Sequence, residues 1–327
     1  MTEMASLLEA FERAAAASPL VRFVDVALRG LGQVMFQDNP LTGLFFLLAI
    51  IWGAVSTGQP FVAICGVLAL VVSTGTALVV GVDRTAWRAG LYGFNGVLTG
   101  LALATFLTPG PMLVVFVVLG AAMSVIATLA TQRWLAGHGI PGLTFPFVAT
   151  SWLFLLASHG FAGVSGAGLP AGAVTAPAVM VATDPLHVVD FVSGVALSIS
   201  QVFLKDSLVA ALLFLAGLAV SSIPAALLAV AGALIAVIVA HLAGAESELV
   251  TGGLLGFSPV LTAVALGCVF ARPAPRNLSY AAFATIVTVI AQVALNAALA
   301  PVALPALTMP FVLITWLFLM AWPAEKH

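Results

Sequence analysis

Charge is what this chain lacks most. Only 7% of its 327 residues are Asp, Glu, Lys or Arg, where a soluble domain carries about 25%. Too few polar groups remain to cover a water-facing surface. With 62% apolar residues and a mean hydropathy of +1.21, much of the chain must face lipid. The net charge of −2 and the sparse basic residues exclude a nucleic-acid partner. Cysteine is equally thin. Cys65 and Cys268 sit in apolar stretches with no second cysteine or histidine at ligand spacing, so neither a disulfide nor a metal site is expected and both read as packing residues. Before the first apolar stretch come Glu3, Glu9 and Glu12, with no basic region ahead of an apolar core, so no cleaved signal peptide is expected.

What the chain has is a passage that it repeats. Gly139-Ile140-Pro141-Gly142-Leu143-Thr144-Phe145-Pro146-Phe147-Val148 runs on to Ser151-Trp152-Leu153-Phe154. It returns as Ala303-Leu304-Pro305-Ala306-Leu307-Thr308-Met309-Pro310-Phe311-Val312, running on to Thr315-Trp316-Leu317-Phe318, at a constant offset of 164 residues. Self-similarity in so apolar a chain points to two homologous membrane halves with the substrate between them.

A span needs about 20 apolar residues. The first half offers five, at 41–57, 61–80, 90–107, 111–130 and 143–161, and the second offers 208–223, 224–242, 252–270, 279–300 and 307–322. Ahead of each set lies a poorer segment. That at 20–36 is interrupted by Arg22, Asp25 and Arg29 and reads as partly inserted or re-entrant; its counterpart is 186–204. Five crossings leave a half on the opposite side, so the second half must lie inverted. With a cytoplasmic N-terminus, Arg13, Arg22, Arg29, Arg84, Arg88, Arg133, Arg272, Arg276 and Lys326 fall inside and only Lys205 outside, the bias that the positive-inside rule favours. Both termini are therefore expected in the cytoplasm. The division reads as an N-terminal segment 1–28, a first repeat 29–161, a Gly/Ala/Pro-rich external connection 162–185, a second repeat 186–322 and a tail 323–327.

Three motif pairs recur. Gly30 to Asn39 (GLGQVMFQDN) matches Ser198 to Asp206 (SISQVFLKD), Gly93 to Thr99 (GFNGVLT) matches Gly256 to Thr262 (GFSPVLT), and the Thr-x-Pro-Phe pair is the third. Under a pseudo-two-fold axis they converge between the halves. Gln33 and Gln201 supply uncharged amides, Phe94 and Phe257 flat apolar faces, and Thr144 and Thr308 hydroxyls. Pro146 and Pro310 are expected to interrupt helical hydrogen bonding and free carbonyls, tolerable only where buried or facing a water-filled cavity. Together these make a narrow, uncharged, hydrogen-bonding pore suited to a flat, polar, neutral solute.

These motifs resemble the urea transporter family over nearly the whole chain, from about Arg29 to Trp322. Leu304-Pro305-x-x-Thr308-x-Pro310-Phe311 is the family's signature block, with Ile140 replacing the leucine in the first copy. The resemblance implies passive passage of urea across the inner (plasma) membrane by a homotrimer with one pore per protomer. It also implies half-membrane helices near 20–36 and 186–204. By motif position, Gln33 and Gln201 would receive urea at the two mouths. Phe94, Phe257, Val34, Val202 and Phe36 would form flat slots, and Leu98 and Leu261 would pinch the middle beside Thr144 and Thr308. Leu204 stands where Phe36 would recur, and Ser258-Pro259 replaces Asn95-Gly96, so strict symmetry is not expected there.

The remaining readings are a facilitator for ammonia, water or short amides, and an ion-coupled secondary transporter. His138, His159, His187, His241 and His327 form no matched pair within the spans, which excludes the twin-histidine pore of ammonium channels. Asn-Pro occurs once, at Asn39-Pro40, and Asn-Pro-Ala not at all, which argues against an aquaporin. A coupled transporter normally keeps a carboxylate inside the membrane, whereas Asp25, Asp38 and Asp190 lie at segment ends. The stretch Gly163-x-Ser165-Gly166 lies in a Gly/Ala-rich connection, and no acid, base or metal cluster accompanies it. No enzyme and no cofactor are expected.

Overall fold

The computed structural model describes residues 13–166, 169 and 186–322, and every named element in it is helical. The first set comprises α1 (Pro19–Gln33), α2 (Pro40–Ser56), α3 (Pro60–Val80), α4 (Arg84–Arg88), α5 (Phe94–Phe106), α6 (Pro111–Leu135) and α7 (Phe145–Ser158). The second comprises α8 (Val188–Ser200), α9 (Leu208–Ser221), α10 (Ile223–Leu242), α11 (Ser247–Thr251), α12 (Phe257–Val264), α13 (Pro275–Leu299) and α14 (Met309–Ala321).

Helix starts are set by proline and by small polar caps. Pro19, Pro40, Pro60, Pro111 and Pro275 each open a helix, where the missing N–H would have lacked an intrahelical partner anyway. Asn39 caps α2, its Oδ1 accepting from the Leu41 and Thr42 amides at 2.8 and 3.3 Å, so the lone Asn-Pro pair is a helix start. Ser222 has an extended backbone and divides α9 from α10; its hydroxyl accepts from the Ala225 amide at 3.2 Å.

Among the described residues, four helical stretches are long and apolar enough to cross a membrane: Pro60–Val80, Pro111–His138, Ile223–Leu242 and Pro275–Val302. Val188–Phe203 and Leu208–Ser221 qualify only as a pair bent by 72°, a broken span or re-entrant loop. Five further apolar helices are shorter, at 10–17 residues. The chain is thus an all-helical, multi-pass membrane protein in which Pro40–Ser56 matches the expected span 41–57 while several other helices fall short of theirs. Of 90–107 only Phe94–Phe106 is α-helical, and of 143–161 only Phe145–Ser158, because the residues ahead of them are turns with left-handed backbone at Gly90 (φ 77°) and Leu143 (φ 49°).

Large apolar side chains face outward, Val79 at 89% exposure and Leu20 at 74% among them, while Ser73, Asn95, Thr99, Ser124, Ser258 and Thr262 are buried. This inside-out distribution suits a lipid surround. Many buried hydroxyls return their proton to the helix that carries them, as Thr99 does to the Asn95 carbonyl and Thr285 to that of Ala281.

Among the described residues, all with positive φ except Gly58 fall into pairs at matched sequence positions: Phe36 with Leu204, Gly81 with Gly244, Gly90 with Gly253, Gly139 with Ala303, and Leu143 with Leu307. The motif offset is not quite constant, however. Phe94 and Phe257 are 163 residues apart, whereas Phe106 and Phe270, like Thr144 and Thr308, are 164 apart. One residue has been added between Thr262 and Phe270. At that place the helix that begins as α12 widens into a π-turn, Ala265–Val269, which is how an α-helix absorbs a single insertion. The matching part of α5 remains α-helical through Phe106.

The turn between α1 and α2 is held by Arg29, which binds Asp25 at 3.1 Å and Asp38 at 2.7 Å. The Lys205 side chain is buried; its stem lies against Gly53, where a Cβ would come within 3.0 Å of it. The closest approach in the α1–α2 hairpin is at Gly43, where a Cβ would collide with the Leu28 carbonyl backbone. Gly43→Ala should therefore cost about 1–3 kcal/mol of stability through overpacking, read as a lower unfolding midpoint in detergent. Gly75→Ala, whose added methyl meets open space, should leave the midpoint unchanged or slightly raised.

Candidate functional site

A cavity of about 340 Å³ opens where the first motif of the first half approaches the last motifs of both halves. Gln33 ends α1, Val34 and Phe36 form the turn beyond it, Phe94 begins α5, and Thr144 precedes α7; all five line the cavity. Among the residues lining it none is ionisable.

The Gln33 amide is aimed by its surroundings. Its Nε2 donates to the Ala89 carbonyl at 2.9 Å, while its Oε1 receives no hydrogen bond from the described residues. An amide held by its donor side presents its acceptor. The matched Gln201 makes the matched bond, Nε2 to the Gly252 carbonyl at 3.3 Å. Phe36 (φ 64°) and Leu204 (φ 54°) share a left-handed turn, so the two hairpins have the same shape with an aromatic ring in one and an aliphatic side chain in the other.

Beside the cavity, behind the part lined by Thr144, the two Thr-x-Pro-Phe segments meet. Thr144 Oγ1 and Thr308 Oγ1 are 2.6 Å apart, each hydroxyl the other's partner, and both residues are 3% exposed. Reciprocal tryptophans hold the preceding loops in place. Trp152 Nε1 donates to the Pro305 carbonyl and Trp316 Nε1 to the Pro141 carbonyl, each at 2.8 Å. Every loop is thus pinned by the helix of the other motif copy.

The prolines act differently from the sequence-based expectation. Pro146 and Pro310 stand at the second position of α7 and α14 and start those helices instead of interrupting them. What lies open at these termini is therefore first-turn N–H, not carbonyl. On α7 one such donor, Phe147 N, is taken by Asn95 Oδ1 at 3.2 Å. Asn95 Nδ2 in turn donates to Thr128 Oγ1 at 3.3 Å. In the second copy the two side chains exchange size: Ser258 stands for Asn95 and Gln292 for Thr128, and Ser258 Oγ donates to Gln292 Oε1 at 2.7 Å. The buried polar pair persists although both members have changed.

Leu98, Gln201, Val202, Phe257, Leu261 and Thr308 do not line this cavity. Leu98, Val202, Leu261 and Thr308 are buried, and Gln201 and Phe257 half-buried. The cavity instead recruits residues that the motifs did not single out: Thr128 and Gln132, one helical turn apart on α6, together with Val269, Phe270 and Phe311. Two polar residues four apart in an apolar helix were a readable sign; Phe270 lies outside the three motif pairs.

The threonine contact makes a stability cycle. Thr144→Val or Thr308→Val alone leaves a buried hydroxyl unpaired and should cost about 1–3 kcal/mol, whereas the double replacement by apolar isosteres should be closer to neutral. Unfolding midpoints of the two single variants and the double variant should show that order.

Known proteins match nearly the whole chain. The family model described as "UT: Urea transporter" matches residues 24–322. Urea transporter 1 of Ovis aries and that of Capra hircus are each 29% identical over 304 residues, covering 92% of this chain and 77% of theirs. Urea transporter 1 of Rattus norvegicus is 28% identical over 305 residues, with the same coverage.

Proposed function

The chain belongs to the urea transporter family, and on that premise we propose a passive, channel-like route for urea between two inverted halves. The chain is a membrane transporter of urea and not an enzyme. The observation that carries the route is the 2.6 Å contact of Thr144 with Thr308 beneath an uncharged cavity. Two copies of one motif meet face to face there, as they would on a pseudo-two-fold axis.

In this reading repeat 29–161 and repeat 186–322 each contribute five crossings and one half-helix, α1 or α8, with both termini cytoplasmic and the connection 162–185 outside. Most of that connection and both chain ends lie outside the described residues. The shorter helices can complete crossings because turns and half-helices buried inside the protein make up the remaining depth. Gln33 and Gln201 receive urea N–H groups at the two mouths. Phe94, Phe36 and Val34 form the slot at one end and Phe257 and Val202 that at the other, with Leu98 and Leu261 narrowing the middle. Each protomer holds its own pore, and three protomers associate in the inner membrane.

Urea shed of water must find replacement hydrogen bonds, each unmet polar group costing about 1–3 kcal/mol. Gln33 Oε1 and the threonine hydroxyls supply acceptors without placing a fixed charge on the path, so a neutral solute is not held in competition with ions. Stopped-flow urea flux into proteoliposomes tests the reading. Flux should be indifferent to an imposed membrane potential or pH gradient; uphill accumulation driven by either would establish a coupled transporter instead.

The central threonines give a sharper test, because flux and stability should rank the variants differently. Each Thr→Val change should raise the barrier by about 1–2 kcal/mol, roughly 5- to 30-fold in rate. The double variant should be the slowest conductor although it is more stable than either single one. Parental flux through a folded double variant would make the pair structural only.

Orientation has its own experiment. Cysteines introduced at Ala5 and Gly168 should differ in labelling when an impermeant maleimide is applied to intact cells. Equal protection of the two would overturn the inverted arrangement.

A further inference from the structure

We propose that the cleft between the start of α13 and the end of α14 binds the phosphate headgroup of an anionic phospholipid, with Arg276 and Trp322 as its donors.

The cleft follows from how the two helices are joined. The last carbonyls of a helix lack intrahelical partners, and two of those on α14 are met. The Trp322 amide donates to the Leu319 carbonyl at 3.3 Å, and the Tyr280 hydroxyl of α13 donates to that of Phe318 at 2.9 Å. The second bond ties the helices together and sets the Tyr280 ring against two others. Its centroid lies 4.5 Å from that of Trp322, with planes at 78°, and 4.8 Å from that of Phe318. Beside these rings opens a cleft of about 370 Å³ lined by Arg276, Ser279, Tyr280, Ala321 and Trp322.

Donors prevail in it. The Ser279 and Tyr280 protons are already committed to backbone carbonyls, that of Ser279 to Arg276 at 2.8 Å. Neither the Arg276 guanidinium nor Trp322 Nε1 has a partner among the described residues, and none of the lining residues is a carboxylate. A guanidinium fits phosphate oxygens with two parallel N–H groups, and an indole N–H beside it suits the boundary between membrane and water. The surface below the cleft favours a lipid over a free phosphate. Arg276, Phe283 and Ile290 recur at seven-residue spacing on α13, so they share one face, and all three are exposed. A headgroup held at Arg276 has an apolar stripe for its acyl chain to follow.

The matched place in the first half lacks these features. At the 164-residue offset Met112 stands for Arg276, Phe116 for Tyr280 and Ser158 for Trp322. The ring pair persists, Phe116 with Phe154 at 5.2 Å, but Phe161 packs against it at 6.2 Å and Gly163 lies beside Met112. The cation belongs to one half only. In the inverted arrangement proposed above, that end of α13 faces the cytoplasmic leaflet, where anionic lipids collect.

The experiment reconstitutes the full chain in phosphatidylcholine vesicles and compares quenching of Trp322 fluorescence by brominated phosphatidylglycerol and by brominated phosphatidylcholine. The Trp322 signal is the difference between the parental protein and Trp322→Phe. The parental protein should prefer the anionic lipid. Arg276→Gln should lower that preference about 5-fold, the effect of one arginine at a membrane surface, and Arg276→Lys should lower it less. Arg272→Gln, which removes an exposed cation outside the cleft, should also lower it less. No preference in the parental protein, or equal losses in Arg272→Gln and Arg276→Gln, would overturn the site. Displacement of the brominated lipid by millimolar inorganic phosphate at constant ionic strength would overturn the lipid in favour of a soluble anion.

Discussion

The structure depends on one constraint: backbone that is not helical survives in a lipid-facing molecule only where the protein itself meets its hydrogen-bonding needs. The two loops ahead of Thr144 and Thr308 are such backbone. Ile140, Leu143, Leu304, Ala306 and Leu307 are buried, yet the chain turns there through left-handed residues at 139, 143, 303 and 307. Two tryptophan N–H groups reach across to the Pro141 and Pro305 carbonyls, and Asn95 reaches the first turn of α7. Because each loop is satisfied by the opposite motif copy, neither is complete alone. Their meeting at the threonines results from that mutual dependence.

The same constraint bears on how one buried polar pair differs between the two motif copies. A buried amide or hydroxyl stripped of its partner is expensive, so a change at one position calls for a compensating change at its neighbour. Asn95 with Thr128 and Ser258 with Gln292 illustrate this: the long and the short side chain trade helices while the bond between them is kept. The first pair also caps α7. Ser258 is shorter than Asn95, and its hydroxyl is committed to Gln292 and, at 3.5 Å, to the Leu307 carbonyl. The relation between the halves is therefore closest in backbone, where positive-φ residues pair almost throughout, and looser in side-chain chemistry.

Much of this is legible without the fold. Membrane class comes from charge scarcity, and the helix positions from apolar runs between prolines. The motif pairs put Gln33, Val34, Phe36, Phe94 and Thr144 together, and the cavity brings them to one place. What escapes has physical reasons. Hydropathy does not separate an apolar turn from an apolar helix, so 90–107 and 143–161 read as longer helices than they are; the left-handed residues that end the turns include leucine, which carries no such signal. Proline reads as a breaker where its position makes it a starter. Charge alone gives no sign that Lys205 is buried, although the absent side chain at Gly53 leaves room for its stem to pack there. Phe270 is hidden most deeply, since it lies outside the three motif pairs and is one of 21 phenylalanines in the chain.

In the proposed route, conduction requires that each stop bind urea well enough to replace water and weakly enough to release it. A charged group on the path would meet the first condition and strain the second. On that proposal the threonine pair would meet both, because each hydroxyl has the other as its partner. Urea passing there would exchange one neutral hydrogen bond for another of similar strength. Gln33 is arranged on the same principle: its donor side is committed to Ala89, so its acceptor is ready in the absence of solute and needs no reorganisation when urea arrives. On the proposed route, weak neutral groups that are already oriented would favour passage over retention.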